Sequence, residues 1–269
     1  QEKIQQLANQ LSKYLSPQIY ESIFLGKKKV KIEAYRKRLT VFFSDIKGFT
    51  ELTDRLEPEV LSDLLNNYLN EMSKIALKYG GTIDKFVGDA ILIFFGDPES
   101  KGQENDARSC VLMAIEMRER MKFLRNKWEE QGISKSLEIR IGINTGFCNV
   151  GNFGSKDRLD YTIIGGEVNL ASRLESNAEV GQILISHETY ALIRKDILCK
   201  KKEEITVKGI SHKIQTYQVI KRQNVLNSRK QLFNEKYKGF DLSIDLSQLS
   251  KEQALKSLNK ILSKIKKNT

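Results

Sequence analysis

The stretch Leu39-Thr40-Val41-Phe42-Phe43-Ser44-Asp45-Ile46-Lys47-Gly48-Phe49-Thr50 governs how its neighbours are read. Its first half is dense in β-branched and aromatic side chains, which suit a pleated, half-buried strand. The strand is expected to end at Asp45, where a turn containing Gly48 leads out of it. Downstream, Leu61, Leu64, Leu65, Tyr68, Leu69, Met72, Ile75 and Ala76 recur at mostly helical steps, predicting a long amphipathic helix stopped by Gly80-Gly81. Residues 82–86 and 90–95 read as the strands of a hairpin turning at Val87-Gly88-Asp89. A second helix follows over about 104–128, with Val111, Leu112, Ile115, Met121 and Leu124 on its apolar side, and then a strand over 137–144. The order β-α-β-β-α-β predicts an α+β fold of ferredoxin-like type, one sheet with helices laid over it.

Further along, a Gly-rich stretch (Gly146, Gly151, Gly154) precedes Tyr161-Thr162-Ile163-Ile164, and a helix after Gly165-Gly166 carries Val168, Leu170, Ala171 and Leu174. Short strands are expected at 183–185, 205–207 and 216–220. Upstream, Ile4, Leu7, Leu11 and Tyr14 form a heptad-like stripe, either an ordinary amphipathic helix or a coiled-coil lead-in joining two subunits. Ser16-Pro17 starts a new helix, with proline at its first position. At the far end, Ser250-x-x-Gln253 reads as a capping box opening a helix that buries Ala254, Leu255, Leu258, Ile261, Leu262 and Ile265. Three regions are thus expected: a helical lead-in over 1–35, a core domain over 36–220 and a basic helical extension over 221–269. The chain opens on Gln1 rather than Met, so it reads as a fragment whose upstream sensor or regulatory domain is missing.

The 269 residues carry a net charge of +11, which invites a nucleic-acid reading. Residues 1–38 account for +6 and residues 221–269 for +8, while the middle of the chain is −3. Basicity at the two ends gives no support to a nucleic-acid groove in the core, and no nucleic-acid partner is expected. Cys110, Cys148 and Cys199 are widely spaced, which argues against a zinc site or a disulfide framework and for a reduced, cytoplasmic setting. With only His187 and His212 present, both reading as capping or surface residues, a Ser-His-Asp hydrolase is not expected. The longest apolar run, Ala90 to Phe95, is far below the roughly 20 residues a spanning helix needs.

Chemistry concentrates at two places. Asp45 ends a strand before a Gly turn, and Asp89 sits at a hairpin tip. If those strands pair, both carboxylates leave the same sheet edge, as a Mg²⁺ site with phosphates requires. Taken singly, Asp45 reads as a helix cap and Asp89 as a turn former. The turn through Gly48, Phe49 and Thr50 offers backbone N–H groups to a phosphate. On the helix after Gly166, Asn169 and Arg173 share a face, where Arg173 suits developing negative charge and Asn169 a neutral hydrogen bond. Lys85 and Lys208 add cations, although each alone reads as a surface charge. No GxxxxGK[ST] occurs, so any phosphate site is not a P-loop.

Four segments together resemble the class III nucleotide cyclase catalytic domain over about residues 36–220. They are Phe43-Ser44-Asp45-Ile46-Lys47-Gly48-Phe49-Thr50, Gly81-Thr82-Ile83-Asp84-Lys85-Phe86-Val87-Gly88-Asp89-Ala90, Ile139-Arg140-Ile141-Gly142-Ile143-Asn144-Thr145-Gly146 and Tyr161-Thr162-Ile163-Ile164-Gly165-Gly166-Glu167-Val168-Asn169-Leu170-Ala171-Ser172-Arg173. The resemblance implies an adenylate cyclase that converts ATP to 3′,5′-cyclic AMP and pyrophosphate. It makes Asp45 and Asp89 metal ligands, joined by the carbonyl of Ile46, for two Mg²⁺ or Mn²⁺ ions per site. It makes Lys85 and Thr162 the purine-recognising pair, Asn169 and Arg173 the transition-state pair, and Lys208 a holder of the terminal phosphates. Thr162 stands where mammalian transmembrane enzymes carry Asp and many bacterial ones Thr. Guanylate cyclases carry Glu and Cys at the two purine positions, so Lys85 and Thr162 favour ATP. The resemblance also implies a head-to-tail homodimer, with the two aspartates from one chain and the other residues from its partner. The alternatives are a guanylate cyclase, or a catalytically degenerate nucleotide-binding module for dimerisation or sensing.

Overall fold

The computed structural model describes residues 2–26, 30–133, 137–207, 213–223, 232–245 and 249–267. In chain order its elements are α1 (Glu2–Leu11), α2 (Pro17–Phe24), β1 (Glu33–Ile46), α3 (Phe49–Thr53), α4 (Pro58–Tyr79), β2 (Thr82–Val87), β3 (Ala90–Phe95), α5 (Gln103–Glu130) and β4 (Ile139–Gly154). There follow β5 (Leu159–Ile164), α6 (Gly166–Asn177), β6 (Ile183–Ser186), α7 (His187–Ile193), β7 (Ile197–Ile205), β8 (Ile214–Arg222), β9 (Leu232–Tyr237), β10 (Phe240–Asp245) and α8 (Lys251–Lys267). The chain divides into a larger unit, Gln1–Lys221, and a smaller one, Arg222–Thr269.

The larger unit is built on one sheet with strand order β2-β3-β1-β4-β6-β8-β7, and β5 pairs with the outer half of β4. The first four of these strands, antiparallel throughout, are the expected ferredoxin-like core. Alternation along β1 sends successive side chains to opposite faces. Phe42 packs with Ile91, Ile93, Ile141 and Ile143 under α4 and α5, among Tyr68, Met72, Met113 and Met117. Leu39 and Val41 face the other way and pack with Phe94, Val168 and Ala171 of α6. The α4 helix ends where Gly80 takes a left-handed φ of 82°, a conformation glycine adopts without a Cβ clash.

Strand β4 carries the largest departure from expectation. The strand expected to end at Asn144 instead continues through the Gly-rich stretch after it, paired along its length with β1 and then with β5. Two glycines of β4, Gly142 and Gly146, are required by the helix that lies on top of them. A Cβ on Gly142 would sit 2.1 Å from the Glu175 amide nitrogen and 2.3 Å from the Ala171 carbonyl, and one on Gly146 would meet the Glu167 side chain at 2.4 Å. Helix α6 therefore rests on bare strand backbone. Asn144 tethers its first turn, donating from Nδ2 to the Glu167 carbonyl (3.0 Å) and carboxylate (2.7 Å). Gly142→Ala is expected to cost about 3 kcal/mol through overpacking, read as a lowered thermal midpoint; an unchanged midpoint would contradict this packing.

Other expectations divide. The strand placed at 205–207 lies earlier, over Ile197–Ile205, because the charged run Lys200-Lys201-Lys202-Glu203-Glu204 forms an edge strand, where exposed charges are suited. The helix expected to start at Ser16-Pro17 does so, with Pro17 in its first turn and Ser16 capping it by accepting from the Ile19 amide. This helix packs onto the rest of the larger unit through buried Ile19 and a Gln18 Nε2 bond to the Gly81 carbonyl (2.7 Å). The α1 stripe Ile4, Leu7, Leu11 with Tyr14 is exposed. In the smaller unit the capping box forms in both directions between Ser250 and Gln253. Its expected buried face does not: Ala254 is buried, but Leu255, Ile261, Leu262 and Ile265 are exposed. The unit also contains the β9–β10 hairpin, turning at Gly239, in a region read as helical.

Candidate active site

Asp45 lies near the end of β1, and the turn after it uses Gly48 at a φ of 77° to enter α3. Asp89 lies in the turn between β2 and β3, beside Gly88 at a φ of 62°. Pairing of β1 with β3 brings these two ends together. The Ile46 amide donates to Asp89 Oδ2 at 2.7 Å, which ties the Asp89 carboxylate to the residue after Asp45. Ile46 and Phe49 send their side chains into the core, so what they offer a ligand is backbone; Thr50 is exposed.

Arg140, directly across the ladder from Asp45, grips it with both prongs: Nε to Oδ1 at 3.1 Å and Nη2 to Oδ2 at 2.6 Å. The same guanidinium lies 2.9 Å from Glu175 Oε1 and donates to the Ser176 carbonyl at 3.2 Å, both near the end of α6. Burial pushes the Asp89 carboxyl up, the Ile46 amide pulls it down, and the Asp45 charge adds a smaller upward push. Glu175 is pushed up to about 7, chiefly by burial and then by neighbouring Asp45, against the pull of Arg140. Neither Arg140 nor Glu175 stood out as a site residue in the sequence. The available signal was a lone arginine inside the apolar run Ile139-Arg140-Ile141.

Lys85 and Thr162 are far apart in sequence but share one contact, Asp84. Thr162 Oγ1 donates to Asp84 Oδ2 at 2.6 Å, the Ile163 amide reaches the same oxygen at 3.2 Å, and the Lys85 ammonium lies 3.3 Å from Oδ1. The β2–β3 register shifts between Ile83 and Lys85, leaving Asp84 as the extra residue of a bulge. Burial raises the Asp84 pKa, and its three donors oppose that rise.

Asn169 and Arg173 are both exposed, on the side of α6 away from buried Leu170, Ala171 and Leu174. Lys208 lies outside the described residues, as does His212. His187 opens α7, with Nδ1 3.4 Å from the Tyr217 hydroxyl, in keeping with a structural role. Cys110 and Cys148 are buried free thiols, and Cys199 is free and half-buried.

Among the described residues no group of three or more His, Cys, Asp or Glu side chains could hold a metal. Asp45, Asp89 and the Ile46 carbonyl are instead a small, all-oxygen set. Such a set fits a hard divalent ion that completes its shell with water and substrate phosphates. Among the described residues no helix is long and apolar enough to cross a membrane.

Comparison with known proteins agrees with this geometry. The family model of the adenylate and guanylate cyclase catalytic domain matches residues 30–221. The chain is 34% identical over 232 residues to the terminal-differentiation-specific adenylate cyclase of Dictyostelium discoideum, covering 81% of this chain and 10% of that protein. It spans between a tenth and a third of the first curated relatives it matches. Among solved structures, the adenylyl cyclase CyaB from P. aeruginosa is 65% identical, with a TM-score of 0.70 covering 72% of this chain and 98% of that one. The guanylyl cyclase Cya2 is 34% identical, with a TM-score of 0.69, covering 73% of this chain and 98% of that one. The paired aspartates on one sheet edge and the glycine-seated α6 thus belong to a member of the class III adenylate and guanylate cyclase family.

Proposed function

We propose that this domain converts ATP to 3′,5′-cyclic AMP and pyrophosphate at sites shared by two copies of the chain. The observation that carries the choice of ATP is the junction of Lys85 and Thr162 on Asp84, which sets a cationic donor beside a hydroxyl. The 65% identity to an adenylyl cyclase supports the same choice. Divalent-metal dependence belongs to the family; here we assign two Mg²⁺ or Mn²⁺ ions to Asp45, Asp89 and the Ile46 carbonyl. Those ions supply Lewis-acid charge at the 3′-hydroxyl and the phosphates. The chain's own residues do the rest. Gly48, Phe49 and Thr50 present backbone N–H groups to the phosphates, and Lys208 holds the terminal ones. Lys85 and Thr162 fix the base, so that the 3′-oxygen faces the α-phosphorus in line with the departing pyrophosphate. Asn169 and Arg173 meet the charge that grows on the α-phosphoryl oxygens.

In this reading residues 1–35 are a lead-in from an upstream sensor, 36–220 the catalytic domain and 221–269 a basic extension. Exposed Phe86, Val87 and Ile164, close in sequence to the Asp84–Thr162 contact, are apolar surface available to a second subunit. The reaction is tested by incubating purified protein with ATP or GTP and Mn²⁺ and identifying the product. Cyclic AMP is expected, and cyclic GMP alone would replace ATP by GTP as the substrate. Shared sites are tested by mixing two inactive variants, Asp45→Ala and Arg173→Ala. Random pairing makes half the dimers mixed, each with one intact site of two, so about a quarter of normal activity is expected back. No recovery after subunit exchange would place each complete site within one chain.

A further inference from the structure

The carboxylate of Asp84 is enclosed, with its side chain only 1% exposed, in a bulge that sets it beside Lys85 rather than on the opposite face of the strand. Its neighbours decide its hydrogen-bonding sense. The Ile163 amide and the Lys85 ammonium can only donate, and an ionised carboxylate can only accept. The Thr162 hydroxyl has one proton, and the 2.6 Å contact commits that proton to Asp84 Oδ2. Toward any ligand the Thr162 oxygen then presents lone pairs alone, while Lys85 presents protons.

We propose that Asp84 is a positioning residue for base selection: by holding the Thr162 hydroxyl as an acceptor beside the Lys85 donor, it sets the site to read an amino group next to an unprotonated ring nitrogen. Adenine carries that pair on its edge, with N6 as donor and N1 as acceptor. Guanine carries the reverse, with O6 as acceptor and N1–H as donor, and would set an acceptor against Thr162 and a donor against Lys85. A threonine hydroxyl free to rotate could serve either base; tethered to Asp84 it serves one. The inference rests on the purine role proposed above for Lys85 and Thr162.

The test compares kcat/KM for ATP and GTP, with Mn²⁺, in the unsubstituted chain, Asp84→Ala, Asp84→Asn and Thr162→Val. Asp84→Asn keeps the shape if removing the carboxylate altogether prevents folding, and its amide no longer obliges Thr162 to donate. The expected result is a fall of about 10-fold in the ATP-to-GTP ratio in either Asp84 variant, the scale of one hydrogen bond. In a Thr162→Val background, changing Asp84 should leave the ratio where Thr162→Val alone put it, because Asp84 acts through the hydroxyl. A merely structural role would lower both substrates alike, and an unmoved ratio in folded Asp84 variants overturns the proposal. So does a ratio shift that persists in full without the Thr162 hydroxyl. If the unsubstituted chain itself shows no preference for ATP, the parent reading fails, and the inference with it.

Discussion

Asp45→Asn leaves no metal-dependent turnover above background, while the fold survives. The substitution keeps the side chain's shape and removes the charge that a divalent ion requires of a set with only two carboxylates. Asp89 cannot compensate alone, because one carboxylate offers a divalent ion half the charge of the pair. Stability changes little, since Arg140 keeps its ion pair with Glu175 and its bond to the Ser176 carbonyl when Asp45 loses its charge. The measurement is cyclic nucleotide formation across a Mn²⁺ titration, beside a thermal melt. Undiminished activity at every metal concentration would remove Asp45 from the metal site.

Arg173→Ala is expected to lower kcat by about 10²–10³-fold, the scale of losing one preorganised donor to developing charge. KM for ATP should move far less, because an interaction made mainly in the transition state leaves ground-state binding nearly intact. The side chain is exposed on α6, so thermal stability should stay within about 0.5 kcal/mol of the unsubstituted chain. That combination separates a reactive role from a packing role. Near-normal kcat would dismiss Arg173 as a transition-state residue, and a rise in KM alone would make it a binding group.

Elements marked by period or punctuation were legible in the sequence. The helix over 58–79, the hairpin through Gly88 and the Ser250–Gln253 box all carry local signals and stand where those signals put them. Elements whose cause is non-local were not. The outer half of β4 is strand because it pairs with β1 on one side and β5 on the other, and glycine's poor strand preference hides that. Strand β7 is charged because it closes the edge of the sheet. The candidate site shows the same division. Asp45, Asp89, Asn169 and Arg173 could be singled out by position, whereas Arg140 needed the β1–β4 register and Asp84 needed a bulge that no spacing rule reveals. The period of α8 predicts a buried face that is largely exposed, because an apolar stripe states only that a helix is amphipathic, not that something covers it.

The seat of α6 on Gly142 and Gly146 bears on how firmly Asn169 and Arg173 are aimed. Helices usually meet sheets through a layer of side chains, which can change rotamer and let the helix drift. At Gly142 backbone meets backbone with no such cushion, while side chains such as Leu39, Val41 and Val168 fill the contact around it, so that point acts as a fixed pivot for α6. The side chains under α4 and α5 lie on the opposite face of the sheet from that pivot, so substitutions there reach Asn169 and Arg173 only by way of strand β4 itself.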